Sequence, residues 1–175
     1  MLRFDLRLLD GNPVVVDDVL ASDDDVWTVD DRRPLDGVEV TGRLSNAGSG
    51  RYYFSGTLAG RIEGECRRCL EPVEVGVSEE AHVMFVEADD AEITDDPDVY
   101  TLDERQHDLD LRPAIREHWL LAAPAFVQCR DDCQGLCLTC GADLNAGPCS
   151  CAAVVDPRWD ALRAAQQDAP PGEQS

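Results

Sequence analysis

Arg51–Glu65 reads RYYFSGTLAGRIEGE and runs without a break into CRRCLEPVEV at 66–75. In the first stretch Tyr52, Phe54, Leu58 and Ile62 stand at even positions, while Tyr53, Ser55, Thr57, Arg61 and Glu63 fill odd ones. A period of two sends alternate side chains to opposite faces, so the pattern predicts a strand with one face on a core. Gly56, Gly60 and Gly64 interrupt it, and glycines inside a strand predict bends or bulges. Upstream, VEVTGRL at 38–44 alternates in the same way, and SNAGSG joins the two runs as a hairpin whose turn lies at 46–50. Downstream, Val73, Val75 and Val77 alternate again and residues 81–86 continue extended. Near the start, Leu2, Phe4, Leu6 and Leu8 predict a further strand with one buried face. The first half therefore reads as antiparallel sheet.

The pattern changes beyond residue 86. Residues 87–110 hold eleven acidic side chains and a single arginine, Arg105, which predicts a long acidic loop with at most a short strand at 99–102. A second acidic run, residues 17–31, carries seven aspartates. Each run reads as a solvated loop or as a docking surface for a basic partner. Helical spacing begins where the longer run ends. Asp108 or Asp110 can cap, Pro113 suits a first turn, Leu111, Ile115, Trp119 and Ala122 share one face, and Pro124 stops the helix. Asp156 followed by Pro157, with Trp159, Leu162 and Ala165 as an apolar stripe, predicts a short C-terminal helix. The expected fold class is α+β: a β-rich body with acidic loop and central helix over 1–124, a cysteine-rich extension packed on it over 125–166, and a disordered tail over 167–175.

The chain has 175 residues and a formal charge of −21. That length suffices for a substantial core, which excludes a miniature scaffold held only by disulfides. No apolar run is long enough for a membrane helix, and Arg3, Asp5 and Arg7 break up what a secretory leader would keep apolar. The expectation is a cytoplasmic protein. All fifteen basic residues are arginine, and they form no basic stripe along the chain. Binding to phosphates depends on displacing counterions with clustered cations, so non-specific nucleic-acid binding is not expected.

The chemistry lies in eight cysteines: Cys66, Cys69, Cys129, Cys133, Cys137, Cys140, Cys149 and Cys151. All fall in close pairs. Two thiolates two or three residues apart can hold one metal from a single tight turn, whereas a disulfide across C-x-x-C is strained and disfavoured in a reducing compartment. Redox pairs and structural disulfides are the lesser alternatives. All-thiolate tetrahedral sites suit zinc, and eight ligands divide into two sites, with a single zinc as the other possibility. Cys137, Cys140, Cys149 and Cys151 can close one site locally, through a turn-forming GADLNAGP segment. Cys66 and Cys69 then take Cys129 and Cys133. A crossed grouping of Cys66 and Cys69 with Cys137 and Cys140 stays open, and the short C-x-C of Cys149 and Cys151 is the least usual ligand spacing. Arg67, Arg68 and Arg130 lie inside the pairs and either stand near the sulfurs or are ordinary surface arginines.

The three-cysteine run from Cys133 to Cys140 also has the spacing of a four-iron cluster, but the chain lacks the βα alternation of enzymes that use one. His82, His107 and His118 occur in no H-E-x-x-H or triad-like context, and no phosphate loop, dinucleotide fingerprint or nucleophile elbow is present. The expectation is a protein that is not an enzyme and takes no small-molecule substrate.

ECRRCLEPVEV at 65–75, DLRPAIREHWLLAAP at 110–124, the C-x3-C-x-G-L-C-x2-C-G-x-D-L-N run at 129–145 and DPRWDAL at 156–162 together resemble the YceD family, the large ribosomal RNA subunit accumulation proteins. The likeness covers about residues 37–162 in the same order. It implies a role in the synthesis, processing or stability of large-subunit ribosomal RNA. With a charge of −21, such a role is expected to run through a basic ribosomal or RNA-processing protein, with the RNA reached indirectly. The competing expectation is a direct RNA-binding zinc module that gathers Arg61, Arg67, Arg68 and Arg130 on one face with Tyr52 or Tyr53 free to stack. A third is architectural zinc in a protein with an unrelated regulatory role.

Overall fold

The computed structural model describes residues 2–9, 11–87, 98–102, 107–152 and 157–160. Seven strands and one α-helix build these residues: β1 (Arg3–Asp5), β2 (Val14–Leu20), β3 (Val38–Gly48), β4 (Arg51–Glu65), β5 (Pro72–Glu87), β6 (Val99–Leu102), β7 (Asp108–Asp110) and α1 (Arg112–Ala122). Strands β2 to β6 form one sheet in chain order, antiparallel up to β5, with β6 added parallel to it. Strands β1 and β7 pair separately. The described residues are thus mainly sheet, with the helix α1 and a cysteine-rich segment.

The even positions of β4 face the core: Tyr52, Phe54, Leu58 and Ile62 are buried. Its glycines, however, are neither bends nor bulges. Pairing with β5 runs unbroken from Arg51 opposite Val86 to Glu65 opposite Pro72. The glycines make room instead. Gly42 and Gly56 face each other across β3 and β4, and a β-carbon on Gly56 would stand 2.7 Å from the Phe54 ring. One on Gly60 would stand 2.9 Å from the ring of Trp119, so the absence of a side chain there lets α1 lie against the sheet. The irregularity falls in β3, between Asn46 and Gly48, next to a tight turn with Ser49 and Gly50 both left-handed, at φ 55° and 69°. That backbone matches the twist of a hairpin.

Three other sequence expectations change. The first strand stops at Asp5, whose carboxylate accepts the N–H of Arg7, and Leu6–Leu9 turns as a 3-10 helix that buries Leu9 and leaves Leu8 exposed. Overlapping the start of the first acidic run, β2 emerges as an edge strand burying Val16 and Leu20. Asp17 and Asp18 disguised it, because neither adds to an apolar alternation. Strand β7 hides in the second run, its sole buried residue being Leu109 between two aspartates. Residues 88–97 and 103–106 of the expected acidic loop, the C-terminal helix beyond Asp160 and the tail at 167–175 lie outside the described residues. Pro157–Trp159 forms a 3-10 turn.

Helix α1 buries Ala114, Ile115 and Trp119, and Pro124 follows its end. Leu111 occupies the cap position without a side-chain bond, while the carboxylate of Asp110 accepts the N–H of Arg112 at 3.0 Å. The outward side of the helix is fastened by arginines. Arg112 reaches Asp24, Asp25 and Asp110, and Arg116 makes two 2.6 Å bonds to Asp31. Part of the first acidic run is therefore neutralised inside the molecule rather than presented to a partner.

Asp31 also accepts the N–H and hydroxyl of Thr28, at 2.7 and 2.8 Å. With Arg116 as the main cause, its carboxyl is held well below the ordinary carboxylate range. A lowered folded pKa stabilises the protein above the unfolded value of about 4, and the stability is lost as pH falls towards the folded value. Asp31→Asn is expected to cost about 2 kcal/mol at pH 7, the scale of hydrogen bonds to charged groups. In thermal melts, the gap between variant and parent should narrow steadily below about pH 4.

No helix among the described residues is long and apolar enough to cross a membrane.

Candidate metal centres

Period-two alternation carries the inward face of β4 to Cys66, just past its end. The hairpin to β5 is closed there by the Cys66 N–H to Glu71 carbonyl bond at 2.8 Å, so residues 66–71 form a loop at the tip of a long, rigid ladder. Within it Leu70 donates to the Cys66 carbonyl and takes a left-handed φ of 64°. The chain after α1 returns to this tip: Val127 bridges Cys66 as a parallel partner, and its carbonyl accepts the Arg67 N–H at 2.9 Å. Cys129 and Cys133 are thereby delivered to Cys66 and Cys69.

The four sulfurs lie within 4.8 Å of one another. Cys66 Sγ is 3.9 Å from Cys133 Sγ, and Cys69 Sγ is 3.7 Å from Cys129 Sγ. A tetrahedron with zinc–sulfur bonds of about 2.3 Å has edges of about 3.8 Å. Cys66, Cys69 and Cys133 are buried, with Val73 and Leu136 packed against them. This is the inner cluster.

The outer cluster brings together Cys137, Cys140, Cys149 and Cys151, also within 4.8 Å. Cys137 and Cys140 frame a tight turn in which the Gly141 N–H reaches the Cys137 carbonyl and the Thr139 N–H reaches the Cys137 sulfur at 3.4 Å. Gly141 is left-handed, at φ 72°. The sulfurs therefore group locally, and the crossed grouping is not adopted. Both members of the C-x-C pair reach the cluster. No cysteine is disulfide-bonded.

Electrostatics favours a cation in each cluster. Burial pushes the Cys66 thiol up, but the N–H groups of Cys129, Cys69 and Arg68 outweigh it and bring it down to about 6. Cys137 also comes down to about 6, through the N–H groups of Cys140 and Thr139. Their neighbours resist ionising. Desolvation and the three surrounding sulfurs push Cys129 up to about 12, while the Cys140 sulfur and burial push Cys151 up to about 11. Burial also opposes ionisation of Cys133, but the Gly135 N–H outweighs it and holds that thiol below its ordinary value, so thiolates form readily within each cluster, and repulsion holds the proton on others until a positive ion offsets it. Either cluster can hold a metal ion.

Of the arginines inside the pairs, Arg68 serves a sulfur through its backbone N–H, while the guanidinium groups of Arg67 and Arg130 turn to other partners. Arg67 bonds to Gln128, Arg130 to Asn145 and Asp132. The side chain that does serve a sulfur is Asn145, which sequence reasoning treated only as a turn former. Its amide N–H points to Cys133 Sγ at 3.6 Å, while its carbonyl oxygen accepts the Gln134 N–H and the Arg130 guanidinium, both at 2.8 Å. The available signal was its place in the D-L-N that follows the third cysteine pair. Gly135 shows how closely the two turns pack: at φ 74°, a β-carbon there would stand 2.8 Å from the Arg68 carbonyl oxygen.

Three side chains of the RNA-binding expectation have partners or cover within the protein. Tyr52 is buried, Tyr53 stacks on and hydrogen-bonds His82, and Arg61 is engaged by Asp36 and Glu74.

Comparison with known proteins places this arrangement among relatives. The family model described as large ribosomal RNA subunit accumulation protein YceD matches residues 54–164. An uncharacterized protein of Mycobacterium tuberculosis is 37% identical over 111 residues, covering 62% of this chain and 52% of the relative. An uncharacterized protein of Mycobacterium bovis matches to the same extent. A maize (Zea mays) protein named large ribosomal RNA subunit accumulation protein YCED homolog 1, chloroplastic, is 28% identical over 145 residues, 65% of this chain and 47% of the relative. The chain spans about half the length of these curated relatives. No solved structure matches it significantly.

Proposed function

The chain belongs to the YceD family of large ribosomal RNA subunit accumulation proteins, and from that premise we propose that it is a zinc-stabilised, non-enzymatic cytoplasmic factor supporting large-subunit ribosomal RNA through a basic protein partner. Cys66, Cys69, Cys129 and Cys133 would hold one zinc ion, and Cys137, Cys140, Cys149 and Cys151 a second. The ions supply cross-linking rather than reaction chemistry. The chain's own residues set the sulfurs at a hairpin tip and clip the segment after α1 back to the sheet.

The observation that carries the partner reading is the uncompensated charge along β5 and beyond it. Glu71, Glu79, Glu80 and Glu87 are exposed and have no ion pair among the described residues, in contrast to the aspartates clamped by Arg112 and Arg116. They run into the acidic residues 87–110. Such a surface repels an RNA backbone and attracts a cationic protein, with a rate and affinity that fall as salt rises.

Immobilised protein offered naked large-subunit ribosomal RNA and a mixture of ribosomal proteins of that subunit is expected to retain a basic protein at low salt and release it at high salt. A Glu79→Lys, Glu80→Lys, Glu87→Lys variant should lose that capture while keeping its sheet signal in circular dichroism. Retention of the naked RNA instead, or capture unchanged by the charge reversal, overturns the partner reading.

A further inference from the structure

We propose that the outer cluster controls the inner one: a metal ion on Cys137, Cys140, Cys149 and Cys151 folds the loop that holds Asn145 against Cys133, and so tightens the metal at Cys66, Cys69, Cys129 and Cys133. The inference rests on the reading of both clusters as metal centres.

Asn145 belongs by sequence to the outer cluster, in the eight residues between Cys140 and Cys149. By contact it belongs to the inner one. It is hydrogen-bonded to the Cys133 sulfur and to the N–H of Gln134, immediately after that ligand. It also takes the Arg130 guanidinium, from within the Cys129–Cys133 turn. One side chain thus braces both the sulfur and the turn that presents it. Groups that orient a metal's ligands in this way typically change metal affinity by about 10- to 100-fold when removed.

What orders the loop is the second half of the argument. None of residues 136–152 is buried, so the segment has no apolar core of its own. Its bonds are those of short turns: Cys137 N–H to the Ala142 carbonyl, Gly141 N–H to the Cys137 carbonyl, Thr139 N–H to the Cys137 sulfur, a bridge between Leu136 and Asp143, Leu144 N–H to the Gly135 carbonyl, Ala146 N–H to the Asp143 carbonyl, and Asn145 bonded through its N–H and amide to Asp143. An exposed loop with so little packing keeps its conformation only if its ends are fixed, and the ends here are Cys140 and Cys149, two ligands of the outer cluster. Filling that cluster removes the ordering cost that Asn145 must otherwise meet before reaching Cys133. Coupling of this kind is reciprocal, so the inner ion must also favour the outer.

The test uses the full chain loaded with cadmium(II) alone, whose two tetrathiolate centres give separate cadmium NMR resonances, and titrates in a chelator. The Cys149→Ser, Cys151→Ser double variant, which keeps the inner four sulfurs complete and leaves the outer cluster only Cys137 and Cys140, identifies the inner resonance. The chelator concentration that halves it is expected to fall about tenfold or more relative to the parent chain. Asn145→Ala, with all eight cysteines intact, should weaken the inner resonance comparably. Asn145→Asp, which keeps the shape but replaces the donor to sulfur with a carboxylate oxygen, should do the same. Combining Asn145→Ala with the double variant should add less than twofold, because both changes remove the same contact.

An inner centre unchanged within twofold in the double variant overturns the coupling, as do losses that multiply in the combined variant. Should the double variant fail to fold, the two Asn145 variants decide the outcome alone, and an unchanged inner resonance in both overturns it. Failure of the parent chain to bind cadmium at either cluster defeats the metal reading itself, a result distinct from two ions bound independently.

Discussion

Replacement of Cys66 by serine is expected to leave the chain unable to hold its folded state. Cys66 is fully buried at the end of β4, bridges Val127 and contributes one sulfur to the inner cluster. Serine keeps its proton at neutral pH and makes a poor ligand, so the four-sulfur centre is lost as a unit. Structural zinc centres contribute about 10–16 kcal/mol in small domains. Whole domains are stable by only about 5–15 kcal/mol, so losing even half of the metal contribution rivals the total. The variant should show loss of cooperative melting in circular dichroism and a metal content lowered by at least the inner ion. Cys140→Ser, in the exposed outer cluster, should by contrast keep the sheet signal and one ion. A Cys66→Ser protein that melts like its parent would show that the inner cluster is not what fastens the molecule.

The second large effect is expected at Trp119. Its side chain is fully buried between α1 and the sheet, its ring rests where Gly60 lacks a side chain, and its Nε1 donates to the Arg32 carbonyl at 2.9 Å. Trp119→Ala removes the largest fully buried side chain among the described residues and leaves that carbonyl without its donor. A loss of about 4 kcal/mol follows from the cavity alone, corresponding to a melting temperature lowered by about 12 °C for a chain of this size. Trp119→Phe should recover most of the packing but not the hydrogen bond, so its melting point should fall between the two. Because the change is remote from the sulfurs, metal content should stay at the parent value. Loss of metal together with stability would show that helix position and cluster geometry are linked.

The sequence by itself determined what its short-range regularities encode. Alternation at 52, 54, 58 and 62 is a direct record of one buried face, and it continues in parity to Cys66, which placed the first cysteine pair at the end of a strand. The 111, 115, 119 spacing and Pro124 bounded the helix. Close pairing of the cysteines showed that they act together, and their local spacing made the grouping into 66, 69, 129, 133 and 137, 140, 149, 151 the simpler choice.

Only the tertiary structure decided matters that depend on residues far apart in the chain. Strand β7 is three residues with two aspartates, and becomes a strand because β1 supplies hydrogen bonds and a core face that outweigh its weak local preference, while β2 keeps its valines in strand across Asp17 and Asp18 because β3 pairs with it throughout. Gly42, Gly56 and Gly60 look like weak points along one strand, yet their meaning lies in Phe54 and Trp119 seated above them. Asp24, Asp25 and Asp31 count equally towards a net charge, but Arg112 and Arg116 pair with all three and draw Asp24 and Asp31 out of solvent. Asn145 reads as a turn residue until the loop folds it onto Cys133. In each case the deciding term is a contact between segments, and contact energies of that kind leave no periodic trace in the chain that makes them.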